Sequence, residues 1–274
     1  MRPRATGGGG SSPSPSASPA SSSSAGGAGG RPRVLVCTHR TCRAQGALAT
    51  LEAVRELGGA VPGGLACEVR RRSATALLRR CDPTTDPKNR SKQRTGCLGG
   101  CGAGPNAVLL PQEVQVGGLD DVPHLARLLG IQYGLDDAAA HGRVLEKKRA
   151  GASLCLKGKP AEAVRLFGEA LEECEALPGA GGDHWRLKLL SNRSAALIEL
   201  GEPEMALEDA YAVAAIDPSW AKAHLRIADA LALLGDCRGA EASYRRAEEL
   251  SPRLLADPFH LEQRTKFGRE CQLA

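Results

Sequence analysis

Aromatic residues are scarce in this chain, at 3% of its 274 positions. Proteins that hold single-stranded nucleic acid stack bases on such rings, so their scarcity argues against that class. No uninterrupted apolar run approaches the roughly 18 residues that a membrane-spanning helix needs, so the chain reads as soluble. The first acidic residue is Glu52, and the first 30 residues lack the apolar core of a secretory signal. Without that signal a disulfide framework is not expected, although there are ten cysteines. No catalytic triad, phosphate-binding loop or paired acid/base carboxylates with supporting context are found, so no enzymatic activity is expected.

Hydrophobic residues make up 42% of the chain and charged residues 24%, enough to build a buried core. At roughly 100–200 residues per domain, the length fits two domains. The net charge of +5 is unevenly spread. Arg70 to Arg94 holds nine basic and two acidic residues, a local +7, whereas the part after residue 137 holds 19 basic and 21 acidic ones. Overall charge therefore does not favour nucleic acid; the basic segment reads as a solvated loop or as a docking patch for an acidic redox partner or RNA.

Residues 1–31 read as disordered, because Gly, Ser and Pro dominate and too little apolar surface is present to offset the ordering entropy. The Ser richness, Arg2 and Arg4 and the missing acids fit an organellar transit peptide, with the chloroplast as the expected destination and the mitochondrion or cytoplasm as alternatives.

Residues 32–132 read as a small α/β domain. Val34-Leu35-Val36 has strand character, and Gly46 to Leu57 places Leu48, Leu51, Val54 and Leu57 on one side of a helix ended by Gly58-Gly59. Cys67-Glu68-Val69 predicts a second strand. Asn106–Leu110 and Val114–Val116 predict a hairpin around Pro111-Gln112, and Asp120-Asp121 begins a helix to about Leu129. Residues 73–94 form a polar, Pro-containing interruption.

Residues 138–274 are helical and repetitive. Ala206 and Ala240, Gly201 and Gly235, Asn192 and Arg226, and Pro218 and Pro252 all lie 34 residues apart. Paired helices with this period mark tetratricopeptide repeats. An earlier copy contains Gly151, Leu154, Gly158, Ala163, Phe167 and Ala170, offset from the next by 43 residues (Ala163 to Ala206). The nine extra residues predict a loop over Glu175–Asp183. Three repeats form a minimal stable array, with 253–274 as a capping helix. Ala163, Ala206 and Ala240 are expected where neighbouring helices approach closely.

Four cysteines are organised: Cys37 and Cys42, then Cys97 and Cys101 within a glycine-rich stretch. Clustered thiolates repel one another unless a cation or cluster neutralises them, and glycines let backbone N–H groups approach sulfur. An iron–sulfur cluster, a structural zinc and vestigial or redox-active thiols all fit this spacing. Cys155, Cys174 and Cys237 read as small core residues of the repeats. His39, between the first two cysteines, reads as a solvent-facing loop residue.

The segments Val34-Leu35-Val36-Cys37-Thr38-His39-Arg40-Thr41-Cys42-Arg43 and Gly96-Cys97-Leu98-Gly99-Gly100-Cys101-Gly102-Ala103-Gly104-Pro105-Asn106 resemble the thioredoxin-like [2Fe-2S] ferredoxins. The resemblance covers residues 34–131 and implies a thioredoxin-like fold with a [2Fe-2S] cluster on Cys37, Cys42, Cys97 and Cys101. It also implies a redox partner protein. The 73–94 interruption departs from that family, which runs almost directly from its second strand into the Gly-Cys-Leu-Gly motif.

In the repeats, Lys222 and Arg226 share one helical face, Asn192 holds the position of Arg226 one repeat earlier, and Lys148 comes from the first repeat. A carboxylate in the groove would accept hydrogen bonds from all four. Ser191-Asn192-Arg193-Ser194-Ala195 and Lys222-Ala223-His224-Leu225-Arg226 resemble the co-chaperone type of tetratricopeptide domain. That family grips the acidic C-terminal tail of Hsp70 or Hsp90 in a carboxylate clamp. The resemblance implies clamp roles for Lys148, Asn192, Lys222 and Arg226. The fifth position, Asn in the family, is Ala152 here, a loss of about 1.5–3 kcal/mol of charged hydrogen bonding.

Two functions are therefore expected to compete. One is a [2Fe-2S] electron-transfer or redox-sensing protein placed on its partner by the repeats. The other is an Hsp70/Hsp90-binding adaptor whose cysteine domain is structural, holding zinc or nothing.

Overall fold

The computed structural model describes residues 32–38, 40–70, 104–177, 179–255, 260–261, 264–265 and 267–268. The expectations for segments 1–31 and 73–94, for His39, and for Cys97 and Cys101 lie outside the described residues.

Alternation of buried Val34 and Val36 with less buried neighbours builds strand β1 (Arg33–Cys37). A short helix α1 (Arg40–Ala44) and α2 (Ala47–Gly58) follow, and α2 buries Leu51, Ala53, Val54 and Leu57. The crossover through α2 brings β2 (Ala66–Arg70) parallel to β1. Strand β3 (Ala107–Leu110) pairs antiparallel with the other side of β1 and, through a tight turn, with β4 (Val114–Val116). The resulting order is β2-β1-β3-β4. Helix α3 (Val122–Tyr133) is capped by the Asp121 carboxylate, which accepts from His124 N–H at 3.0 Å, and ends at left-handed Gly134. Its last residue, Tyr133, places its hydroxyl 3.0 Å from the carbonyls of both Arg33 and Leu110, pinning α3 to the sheet.

Six helices follow as three antiparallel pairs: α4 (Ala138–Leu156) with α5 (Pro160–Glu175), α6 (Gly179–Leu200) with α7 (Pro203–Ile216), and α8 (Ala221–Leu233) with α9 (Cys237–Leu250). A short α10 (Pro252–Leu255) begins the C-terminal segment. Each pair turns at a glycine with positive φ: Gly158 at 69°, Gly201 at 83° and Gly235 at 80°. The 34-residue spacing is thus the spacing of these turns. Ala163, Ala206 and Ala240 are fully buried at the equivalent steps, as expected from their size. Gly151 serves the same close approach, because a Cβ there would lie 2.6 Å from the Phe167 ring.

One segment departs from expectation. The extra residues of the first repeat do not form a loop over Glu175–Asp183; α5 reaches Glu175 and α6 already starts at Gly179. The surplus lengthens α6 to 22 residues, against 19 in α4 and 13 in α8. Its glycines permit close packing rather than a loop. A Cβ on Gly182 would collide with the Leu177 carbonyl, and one on Gly181 would lie 3.1 Å from the His141 ring. The lengthened end carries His184 and Trp185 onto the α/β unit. One continuous apolar core therefore runs from Val34 and Leu57 through Leu125 and Val144 to Trp185 and Ala196. Cys174 is a core thiol as expected, its Sγ donating to Gly182 O at 3.1 Å. Cys237 is instead disulfide-bonded.

Candidate functional site

Cys37 closes β1 and Cys42 sits on α1, both almost fully buried. The Cys37 N–H donates to the Asn106 carbonyl at 2.9 Å, and Asn106 Nδ2 donates to Gly104 O at 3.1 Å and approaches Cys42 Sγ at 3.7 Å. Asn106 thus ties the exit of the glycine-rich stretch to the first cysteine pair. Burial, together with the neighbouring Cys37, raises the Cys42 thiol above its ordinary range, and Asn106 partly opposes this. Among the described residues no group of three or more His, Cys, Asp or Glu side chains is arranged to hold a metal ion. The Cys67 thiol contacts Leu51 O at 3.7 Å and packs against the core, and burial pushes it up to about 11.

The first helices of the three pairs form a wall in which α6 contacts both α4 and α8; Lys148 lies on α4, Asn192 on α6, and Lys222 and Arg226 on α8. Lys222 is exposed at the start of α8. Arg226, one turn later, is half-buried; its Nη1 donates to Asp229 Oδ2 at 3.0 Å, while its Nε is buried without a hydrogen-bond partner among the described residues. Tyr244 O–H holds Asp229 from the other side, donating to Oδ1 at 2.8 Å. Asp229 thereby fixes the guanidinium of Arg226 without satisfying all of its donors. Asn192 lies half-buried on α6. Its neighbour Arg193 points to the paired helix and grips Asp209 with two hydrogen bonds of 2.7 and 2.6 Å, locking α6 to α7.

Lys148 differs from the other three. Its Nζ donates to both carboxylate oxygens of Glu56 on α2, at 2.9 and 2.7 Å, and both side chains are largely covered. Three further residues at this junction escaped sequence reasoning. His184 Nε2 donates to the Glu56 carbonyl at 2.9 Å, and burial pushes its pKa down to about 4, so the ring is neutral. Arg149 donates to Ala49 O at 3.0 Å. Lys188, one turn before Asn192 on α6, is desolvated beside Glu56 and Lys148, and burial lowers its pKa. A lysine and a glutamate 92 residues apart carry no local pattern; only the fold reveals them.

No family model matches the chain. It is 36% identical over 113 residues to heat shock protein STI1 of Saccharomyces cerevisiae, covering 40% of this chain and 18% of that protein. It is 32% identical over 125 residues to an FK506-binding protein-like protein of Mus musculus, covering 46% of this chain and 36% of that one. The chain thus spans well under half the length of these curated relatives. Among solved structures, the first tetratricopeptide domain of Spaghetti (RPAP3), bound to the HSP90 peptide SRMEEVD, aligns with a TM-score of 0.38 at 23% identity. That alignment covers 47% of this chain and 92% of that one.

Proposed function

We propose that the repeat half of this chain is an adaptor that receives an acidic, free C-terminal peptide of the kind carried by Hsp70 and Hsp90. The observation that carries this reading is the wall formed by Lys222, Arg226 and Asn192. Two cations lie one turn apart on α8, an amide sits at the matching step of α6, and Asp229 holds the Arg226 guanidinium in place. Its relationship to STI1, a heat shock protein, supports the same direction. With Ala152 in place of Asn and Lys148 already paired, the affinity is expected to be weak. Titration of the full chain with fluorescent SRMEEVD tests this: Lys222→Ala is expected to weaken binding at least tenfold. Unchanged binding in that variant contradicts the reading.

The α/β unit supports a second reading, a thioredoxin-like domain that holds a [2Fe-2S] cluster on Cys37, Cys42, Cys97 and Cys101. Its support is the β2-β1-β3-β4 order, with β1 and β2 parallel and β3 antiparallel to its neighbours. The proximity of the buried Cys37 and Cys42 to Asn106, where the glycine-rich stretch returns, adds to it. Cys37 and Cys42 suit half of such a donor set: two soft sulfurs shielded from water, with an amide N–H directed at one of them. A bound cluster would supply one-electron exchange; the chain would contribute burial, which sets the potential, and an amide donor that stabilises negative sulfur. Anaerobically purified protein is then expected to contain about two irons and two acid-labile sulfides per chain. Zinc without sulfide, or no metal at all, overturns this second reading.

A further inference from the structure

The Glu56 carboxylate is the one group from outside the repeats that meets a clamp candidate through an ion pair among the described residues. It reaches Lys148 with both oxygens, at 2.9 and 2.7 Å, and only 13% of its side chain and 14% of that of Lys148 remain exposed. Lys188 stands close enough for its charge to interact with both groups. The same end of α2 is held in place by the His184 bond to the Glu56 carbonyl and by Gly59. The absence of a side chain at Gly59 lets the His184 ring lie directly against the backbone. Arg149 holds the other end of α2 through Ala49. We infer that Glu56 is an internal competitor for the groove: the α/β unit lays its own carboxylate on Lys148, where a ligand carboxylate would otherwise bind.

This inference rests on the acidic-peptide reading of the groove and adds a regulatory role for the α/β unit. In the closed arrangement a peptide engages Asn192, Lys222 and Arg226 but finds Lys148 occupied. Full engagement requires the Glu56 carboxylate to leave Lys148, by a turn of its side chain or a local shift at the end of α2. The apparent affinity is then the intrinsic affinity reduced by the open fraction. Once Glu56 is withdrawn, Lys148 and Lys188 face the groove together as two cations. They offset in part the amide donor that Ala152 removes. The α/β unit would therefore set how strongly the repeats bind, and any event that loosens α2 would increase binding.

The test uses the full chain and fluorescent SRMEEVD. Glu56→Gln keeps the shape of the side chain and removes its charge, and binding is expected to tighten about tenfold. Adding Lys148→Ala to Glu56→Gln is expected to abolish the gain. Gly59→Ala places a methyl group against the His184 ring and loosens α2 without touching any groove residue, so it is expected to act in the same direction. Circular dichroism melting identifies any variant that fails to fold, and the remaining one then decides. If Glu56→Gln and Gly59→Ala bind as the unaltered chain does, while binding still requires Lys222, the competitor role is overturned and the groove reading stands. If no form binds, or binding ignores Lys222, the groove reading falls and the inference falls with it.

Discussion

Trp185→Ala is expected to destabilise the protein by about 3–5 kcal/mol, the usual range for emptying a large aromatic site in a core. Trp185 is fully buried at the point where the lengthened α6 meets the α/β unit. Its Nε1 donates to His141 Nδ1 at 2.6 Å, and its ring packs edge-on against His184 at 5.3 Å and beneath Lys188 at 5.7 Å. Burial lowers the His141 pKa, so its ring is neutral with Nδ1 as acceptor. Alanine leaves both a cavity and an unsatisfied buried nitrogen. Trp185→Phe retains most of the apolar area but not the donor, so its loss is expected to be smaller, about 1–3 kcal/mol. Urea unfolding followed by circular dichroism measures both. A loss below about 1 kcal/mol for the alanine variant would mean that the two halves do not share this core.

Asp209→Ala is the next largest expected effect, a loss of about 2–3 kcal/mol. Asp209 is buried, and its carboxylate receives the Arg193 guanidinium through two parallel bonds, at 2.7 and 2.6 Å, which raise the pKa of Arg193. Removing one partner of such a pair costs more than the pair itself contributes, because the remaining charge is left desolvated. Arg193 retains 28% side-chain exposure and recovers some hydration, which places the value below the range for fully buried pairs. Thermal melting is expected to shift down by roughly 4–12 °C at 2–4 °C per kcal/mol for a chain of this size. No measurable shift would show that packing alone holds α6 and α7 together.

Much of the helical half is legible in the sequence because each of its features is local. The turn glycines, the small residues at Ala163, Ala206 and Ala240, and the i, i+4 pair Lys222/Arg226 all express a helical or repeat period. In the α/β unit the strands at Val34–Val36 and Cys67–Val69 and the hairpin at Pro111 were visible for the same reason. The five-residue helix α1 was not, because so short a segment has no period to read. The Glu175–Asp183 segment misled because glycine signals a loop only when nothing packs against it; here His141 packs against Gly181 and the Leu177 carbonyl against Gly182. The candidate site divides along the same line. Asn192, Lys222 and Arg226 lie on α6 and α8, helices that the repeat period marks, whereas the partner of Lys148 comes from an element 92 residues away. Asn106 closed a recognisable motif, but its bond to Cys42 depends on β3 pairing with β1.

Calorimetric titration of the full chain with SRMEEVD as the free acid and as its C-terminal amide addresses the groove most directly. A groove built to hold a carboxylate should bind the free acid at least tenfold more tightly than the amide, with the difference largely lost in Lys222→Ala. Equal binding of the two peptides, or binding of neither, would contradict it.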